Sequence, residues 1–368
     1  GSGKLRAQLP GGGWWISDWS ANGELMILIE YISITNSQLH IVDARTGKRS
    51  RLSPKLGVEV SYRNARFHPK LSVVYFTCDE DSNFQHIIRL NLETGNRKRF
   101  LSSVKWDVEA FELSPDGRTL AVVHNAAGSS NLRFIDAATG EPAVQFAANF
   151  KLPIGVLRSL KWHRSGAELV YDLDWALSPG IIRSLRAGQN QPTHWAASDT
   201  GELDLSRISI PAMRKLRSID RLEFDSVVYL PGKSVNGNFI PQKSARSRPV
   251  IILFHGGPES QFRPRYLGAD NYLPGELNVV LVCPNVRGSR GYGKKFLAAD
   301  NGAKRMNVML DVEVLRNGLN EMQTIDGNRL AVMGGSYGGY MTLASLTHMP
   351  GFFKCGIDRV GISNFVTF

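Results

Sequence analysis

Along the first half of the chain, short apolar runs recur at a constant spacing. Leu25-Met26-Ile27-Leu28-Ile29, Val73-Val74-Tyr75-Phe76, Leu120-Ala121-Val122-Val123 and Leu169-Val170-Tyr171 have the length of strands rather than helices. Each follows a polar unit led by an aromatic residue or Leu: Trp19-Ser20-Ala21-Asn22-Gly23, Phe67-His68-Pro69-Lys70, Leu113-Ser114-Pro115-Asp116-Gly117 and Trp162-His163-Arg164-Ser165-Gly166. The starts of these units lie 48, 46 and 49 residues apart. A second unit keeps the same register: Asp43-Ala44-Arg45-Thr46-Gly47, Asn91-Leu92-Glu93-Thr94-Gly95, Asp136-Ala137-Ala138-Thr139-Gly140 and the more degenerate Leu185-Arg186-Ala187-Gly188. Turns at these places have a physical basis, because Pro presets φ and Gly tolerates positive φ. A period of roughly 40 to 50 residues built from turn-punctuated strands predicts the blades of a β-propeller, each burying its faces against its neighbours. Four blades are at the lower limit for closure, and the first begins near the N-terminus, so further blades are expected upstream.

From about Ile219 the pattern changes. Arg221 to Leu230 alternates as a strand, and a polar Gly/Ser/Lys/Asn-rich loop is predicted after it. Pro249 to Phe254 and Asn278 to Val282 are continuous apolar runs, as expected of strands buried on both faces. Leu310, Val314, Leu315 and Leu319 recur at helical spacing between Met309 and Met322, and another apolar run, Leu330-Ala331-Val332-Met333, follows. Alternating strand and helix is the signature of an α/β sheet. The division expected is a partial β-propeller of about four blades over 1–215 and an incomplete α/β-hydrolase domain over 216–368.

Composition narrows the function. The chain of 368 residues is 42% hydrophobic, enough for a substantial core. No apolar run approaches the roughly 18 residues of a membrane span, and nothing at Gly1 resembles the charged and apolar regions of a signal peptide. That leaves the compartment undetermined. The formal charge of +11 is scattered. Its clusters, Lys48 to Arg51 and Lys243 to Arg248, read as solvated loops without aromatic interleaving, so no nucleic-acid partner is expected. Cys78, Cys283 and Cys355 lie far apart without a CxxC pair, which predicts buried free thiols and no metal site. No organic cofactor is implied, and a homo-oligomer is left open.

Chemistry concentrates at Gly334-Gly335-Ser336-Tyr337-Gly338-Gly339, directly after the last apolar run and before the helix-compatible Tyr340 to Leu346. A Ser with Gly two residues away on either side can occupy a sharp strand-to-helix turn that holds out its hydroxyl. The helix N-terminus adds free N–H groups beside it. Phe254-His255-Gly256-Gly257-Pro258 follows the earlier strand, where glycines let N–H groups approach a substrate carbonyl. Ser336 is therefore the candidate nucleophile, with the N–H of Tyr337 as an oxyanion donor. His255 is expected to hold its loop by hydrogen bonding rather than transfer protons, and His348 to lie on the surface. Gly288-Ser289-Arg290-Gly291-Tyr292-Gly293-Lys294-Lys295 nearly matches a phosphate-binding loop, but Lys295 stands where a hydroxyl should hold Mg²⁺, which excludes nucleotide binding.

Taken together, His255 to Pro258, Asn285 to Gly293 and Gly334 to Tyr340 resemble the prolyl oligopeptidase family of serine peptidases, nearest its acylaminoacyl-peptidase-like branch. Members place a β-propeller before the hydrolase domain, so the resemblance covers nearly the whole chain. It implies Ser336 as nucleophile, and Tyr337 and Gly257 as oxyanion donors. Some relatives carry a Tyr in place of His255, which makes a dipeptidyl-peptidase assignment less apt. Phe353 to Ile357 matches the strand after the nucleophile helix, and Ile362, Phe365 and Phe368 then correspond to apolar residues of the substrate pocket. In this fold the acid and the His follow the nucleophile, yet only 32 residues follow Ser336. Asp358, the one acidic residue among them, stands too early and reads as structural. The expectation is a peptide-cleaving serine hydrolase acting through an acyl-enzyme, with the propeller limiting access, represented here by an inactive fragment truncated at both ends. A carboxylesterase on the same scaffold and a non-catalytic propeller binding protein are the alternatives.

Overall fold

The computed structural model describes residues 8–53, 58–146, 150–235, 238–241, 247–320 and 325–365. The repeating half forms four antiparallel sheets in chain order. Their strands are Gly13–Trp19, Leu25–Ser33, Asn36–Asp43 and Arg49–Arg51; then Tyr62–Phe67, Val73–Cys78, His86–Asn91 and Arg97–Phe100; then Val108–Leu113, Thr119–Ala126 and Ser129–Asp136; then Gly155–Trp162, Glu168–Trp175, Ser178–Arg186 and Thr193–Ala197. The third sheet has three strands among the described residues. A single bridge between Ile135 and Pro142 stands where the others have a fourth.

The two sequence markers are the two outer hairpins of each blade. The first joins the first and second strands, closed by Gly23 N–H to Ser20 O at 2.8 Å, Gly117 to Ser114 at 2.8 Å and Gly166 to His163 at 2.9 Å. The second follows the third strand: Gly47 N–H donates to Asp43 O, Gly95 to Asn91 O and Gly140 to Asp136 O, at 2.8, 2.9 and 2.8 Å. The leading side chain caps that turn, Oδ1 of Asp43, Asn91 and Asp136 each accepting from the amides two and three residues on.

Uninterrupted apolar runs here mean a strand between two neighbours. Val74, Phe76 and Cys78 pack toward Ile27, Ile29 and Leu39 of the first sheet. Val73 and Tyr75, on the opposite face of the same strand, pack toward Phe111, Leu120 and Val122 of the third. Ala121 and Val123 in turn face Leu169, Tyr171 and Leu173 of the fourth. Each such buried side chain contributes on the order of 1.5–3 kcal/mol.

The remaining chain builds a six-stranded sheet from β1 (Pro211–Arg217), β2 (Glu223–Tyr229), β3 (Arg248–Phe254), β4 (Val280–Pro284), β5 (Ile325–Gly335) and β6 (Cys355–Arg359), in the order β1-β2-β4-β3-β5-β6. The pairs β3/β4, β3/β5 and β5/β6 are parallel, while β1/β2 and β2/β4 are antiparallel. Strand β1 straddles residue 215, and its Arg214, Lys215 and Arg217 hide it from a hydrophobic pattern.

Helices α1 (Val308–Asn320) and α2 (Tyr337–His348) flank this sheet. Val250, Ile252, Phe254, Val280, Val282, Leu330 and Val332 share one cluster with Val312, Leu315 and Met341 of the helices. Val227, Tyr229, Leu281 and Cys283 fill a second cluster beside the half-buried Ile251 and Leu253. On α1 the buried stripe is Val308, Asp311, Val312, Leu315 and Leu319. The predicted Leu315 and Leu319 belong to it, while Leu310 and Val314 are half-buried at its edge.

Three expectations are corrected. The polar stretch after β2 contains an antiparallel ribbon, Gly232–Val235 with Asn238–Pro241, because backbone pairing needs no apolar pattern. Arg248, assigned to a solvated loop, is buried at the start of β3 and donates from Nε to Asn278 Oδ1 at 2.9 Å. Cys78 and Cys283 are buried, but Cys355 is exposed on β6, a strand paired only with β5 among the described residues.

Candidate active site

Strand β5 ends and helix α2 begins at Ser336, whose φ of 55° and ψ of −118° are a conformation that non-glycine residues avoid. The surroundings hold it there. Ser336 N–H donates to Arg359 O at 3.0 Å, and Ser336 O accepts from Tyr340 N–H at 3.1 Å and Ile362 N–H at 3.3 Å. The turn is possible because neighbouring glycines allow backbones to touch. A Cβ on Gly338 would stand 2.2 Å from Phe254 O, and one on Gly334 would stand 2.2 Å from Gly338 O. Ser336 is exposed and its hydroxyl makes no capping bond to the helix. The first N–H groups of a helix, here from Tyr337 on, have no partner within the helix.

The loop after β3 comes to the same place. A Cβ on Gly256 would lie 3.6 Å from Ser336 Cβ, so Gly256 borders the serine directly. His255 is buried behind it, with Nδ1 at 2.8 Å from Gly256 O and Nε2 at 2.8 Å from Ser289 Oγ. Burial lowers its pKa to about 4, the Gly256 carbonyl opposing and Arg290 reinforcing that shift. It is thus a neutral loop-holding group, as the sequence suggested. His348 is exposed at the far end of α2, with Nδ1 at 2.9 Å from Ala344 O. Asp358 is exposed on β6, and its Oδ1 fills the space that a Cβ on Gly339 or Gly361 would need.

Ile362 is buried against the hydrolase core. Phe365 packs edge-on to Tyr340, with ring centroids 4.8 Å apart and planes at 85°, and the Arg305 guanidinium lies 5.0 Å from its ring. Phe368 lies outside the described residues. The structure thus brings Tyr337, Gly256 and Ile362 beside Ser336, and sets Phe365 against the rings of Tyr337 and Tyr340.

Beneath the site lie residues that the sequence did not single out. The Tyr337 hydroxyl donates to Asp300 Oδ2 at 3.0 Å, and Arg305 pairs with the same carboxylate. Asp300 is fully buried, which raises its pKa against the opposing pull of Arg305 and Tyr337. Arg287 bridges Asp311 Oδ1 at 2.7 Å and Asp220 Oδ2 at 2.8 Å, fastening the loop after β4 to α1 and to the β1–β2 turn. Burial works against the Arg287 charge, but these bonds outweigh it and hold the pKa above the usual arginine value.

Residues 267–368, which include the elbow and the Asn285 to Gly293 loop, match the model of the prolyl oligopeptidase family. That part of the chain resembles the prolyl oligopeptidase family. Among curated relatives, dipeptidyl aminopeptidase BIII of Pseudoxanthomonas mexicana is 40% identical over 121 residues, covering 32% of this chain and 17% of the relative. The acylamino-acid-releasing enzyme 1 of Oryza sativa subsp. japonica is 31% identical over 131 residues, covering 34% and 16%. A crystal structure of puromycin hydrolase superposes with a TM-score of 0.78 at 19% identity, over 95% of this chain and 52% of that one. Prolyl oligopeptidase B from Galerina marginata gives a TM-score of 0.80 at 14% identity, over 96% and 49%. The fold is accordingly that of a β-propeller with an α/β-hydrolase domain, and the chain spans about half the length of these structures.

Proposed function

We propose that this chain supplies the nucleophile and the oxyanion donors of a serine peptidase that cleaves short peptides through an acyl-enzyme on Ser336. One observation carries the reading: an exposed Ser hydroxyl, free of the helix it caps, held at a positive φ on a strand-to-helix turn. Such strain persists only where the surroundings over-determine it, and it aims Oγ away from the sheet. The N–H groups of Tyr337 and Gly257 would then receive the developing oxyanion, and Ile362, Phe365 and Phe368 would line the pocket for the side chain before the scissile bond. The relatives named as dipeptidyl and acylamino-acid peptidases support a peptide substrate. Residues before about 211 would form the propeller part that limits access.

This chemistry needs a base for the Ser336 proton. His255 is committed to Ser289 and Gly256, and His348 sits at the remote end of α2. On this reading the residues after about 211 supply nucleophile and oxyanion donors, neither of their two histidines is placed as the base, and the segment alone is expected to be inactive. The test uses the full-length gene product. A fluorophosphonate probe should label Ser336, with labelling and hydrolysis of an acyl-peptide p-nitroanilide both lost in Ser336→Ala. Hydrolysis of p-nitrophenyl esters without any of the peptide substrate would make it an esterase, and no labelling would overturn the enzyme reading.

A further inference from the structure

A cavity of about 350 Å³ opens in the hydrolase domain between the sheet and α1. Its apolar walls are Leu216 of β1, Val228 of β2, Val282 of β4, and Leu315 and Leu319 of α1. The strands stand in register, Leu216 opposite Phe224 and Val228 opposite Val282, so these side chains share the face of the sheet that α1 covers. At Gly318 the helix withholds a side chain from this space, although glycine weakens a helix relative to alanine. A Cβ there would lie 3.6 Å from Leu216 Cδ2, an ordinary contact distance.

Two polar groups interrupt the apolar lining. Ser226, between Phe224 and Val228 on β2, is buried, and among the described residues its Oγ has no hydrogen-bond partner. A buried hydroxyl left in that state is destabilising and calls for an explanation such as a bound molecule. Arg214 stands directly opposite Ser226 on β1, which puts both side chains on one face with Cβ atoms about 4.5–5.5 Å apart. It is exposed on the cavity wall, and no carboxylate pairs with it among the described residues. Lys215 beside it is already paired with Glu223 Oε2 at 3.4 Å.

A single water would satisfy the hydroxyl and leave the hydrocarbon walls without contact. A carboxylate on an apolar chain answers both features: its oxygens accept from a hydroxyl and a guanidinium together, and its chain fills the space between the leucines. A peptide end fits less well, because its amides would be buried against apolar walls that offer them no partner.

We propose that this cavity binds an unbranched aliphatic carboxylate, its head held by Ser226 Oγ and Arg214 and its chain by Leu216, Leu315 and Leu319. The inference goes beyond the Ser336 reading and does not depend on it, since none of these residues belongs to the elbow or to the loop after β3.

The experiment titrates the full-length protein with sodium octanoate by isothermal calorimetry, beside 1-octanol and N-acetylleucine. Octanoate should bind with a Kd of about 0.1 mM or below, and the other two at least about tenfold more weakly. Arg214→Gln, at an exposed position, should weaken octanoate binding about tenfold or more, and Ser226→Ala about threefold or more. Gly318→Leu, which extends a side chain into the cavity, should abolish it. No octanoate binding by the parent, equal affinity for octanol or N-acetylleucine, or parent-like affinity in Arg214→Gln would each overturn the proposal. If Gly318→Leu fails to fold, Arg214→Gln decides. Ser336→Ala leaves the cavity untouched and should bind octanoate as the parent does, so a failure of labelling at Ser336 and a failure of octanoate binding are separate results.

Discussion

Two glycines, one in each part of the molecule, serve opposite purposes. At Gly95 in the propeller, φ is +72° and nothing lies within 4 Å of the place a Cβ would occupy, so the residue is there for its backbone freedom. At Gly338 in the elbow φ is helical, yet a Cβ would meet Phe254 O at 2.2 Å and His255 O at 3.0 Å. There the missing side chain is what matters, because it lets α2 lie against the end of β3. At Gly95 the turn relieved of φ strain is a local matter. A helix pressed onto a strand end is a single contact on which the position of Ser336 depends.

The largest effect is therefore expected from Gly338→Ala. The opposing atoms are backbone, not the tips of mobile side chains, so α2 would have to move and the Ser336 turn with it. A loss of about 3 kcal/mol or more in stability is expected, with probe labelling of Ser336 reduced further than in any other variant that keeps the serine. Thermal unfolding and labelling of the same preparation check both. Near-normal labelling would mean that the close approach of α2 and β3 does not set the nucleophile.

A second test falls on the junction between the parts. Asp107, on the propeller side, accepts from Gln85 N–H at 2.9 Å and lies near Arg63 and Asp79, with Gly293 of the hydrolase loop beside it. Burial raises its pKa to about 6, with the Gln85 amide and Arg63 opposing, and Asp79 is raised by burial too. An ordinary Asp in the unfolded chain titrates near 4, so between about pH 4 and 6 the folded state holds a proton that the unfolded state has released. Stability from this group is present below that window and is lost as pH rises through it. Asp107→Asn cannot titrate, keeps an acceptor oxygen, and should flatten the decline by about 1 kcal/mol or more. Denaturant midpoints at pH 4, 5, 6 and 7 measure it; parallel profiles for the two proteins would show that Asp107 titrates normally.

The same contrast explains what could be read from the sequence. The propeller is legible because its information is local and repeated: each turn unit states its own geometry, and strands such as Val73–Cys78 are apolar on both faces because a neighbour lies on each side. Ser336 and the Gly257 loop were legible because close backbone approach demands glycine at fixed offsets. What escaped were pairings across the fold. Asp311 looks like an exposed helix position until Arg287, 24 residues earlier, neutralises it. Asp300 lies in a segment of short turns with no periodicity, and nothing local says that Tyr337 and Arg305 will converge on it. Arg248 and Cys355 failed for a related reason, since burial of an Arg needs a distant acceptor and exposure of a Cys follows from which strand lies beside it.

The smallest effect tests the propeller side of the comparison. Gly95→Ala places a methyl group in open space, so no atom need move and the only cost is the left-handed backbone at φ of +72°. Ala in that region costs about 1 kcal/mol, partly offset by its smaller conformational freedom in the unfolded chain. The Asn91 Oδ1 bonds to Glu93 and Thr94 N–H, at 2.9 Å each, do not involve the substituted side chain and should keep the turn closed. A loss near that figure, with Ser336 labelling unchanged, is the expected result of unfolding and labelling measured side by side. A loss as large as that of Gly338→Ala would mean that the turn is packed by something outside its own hairpin, and the division between conformational and steric glycines would fall.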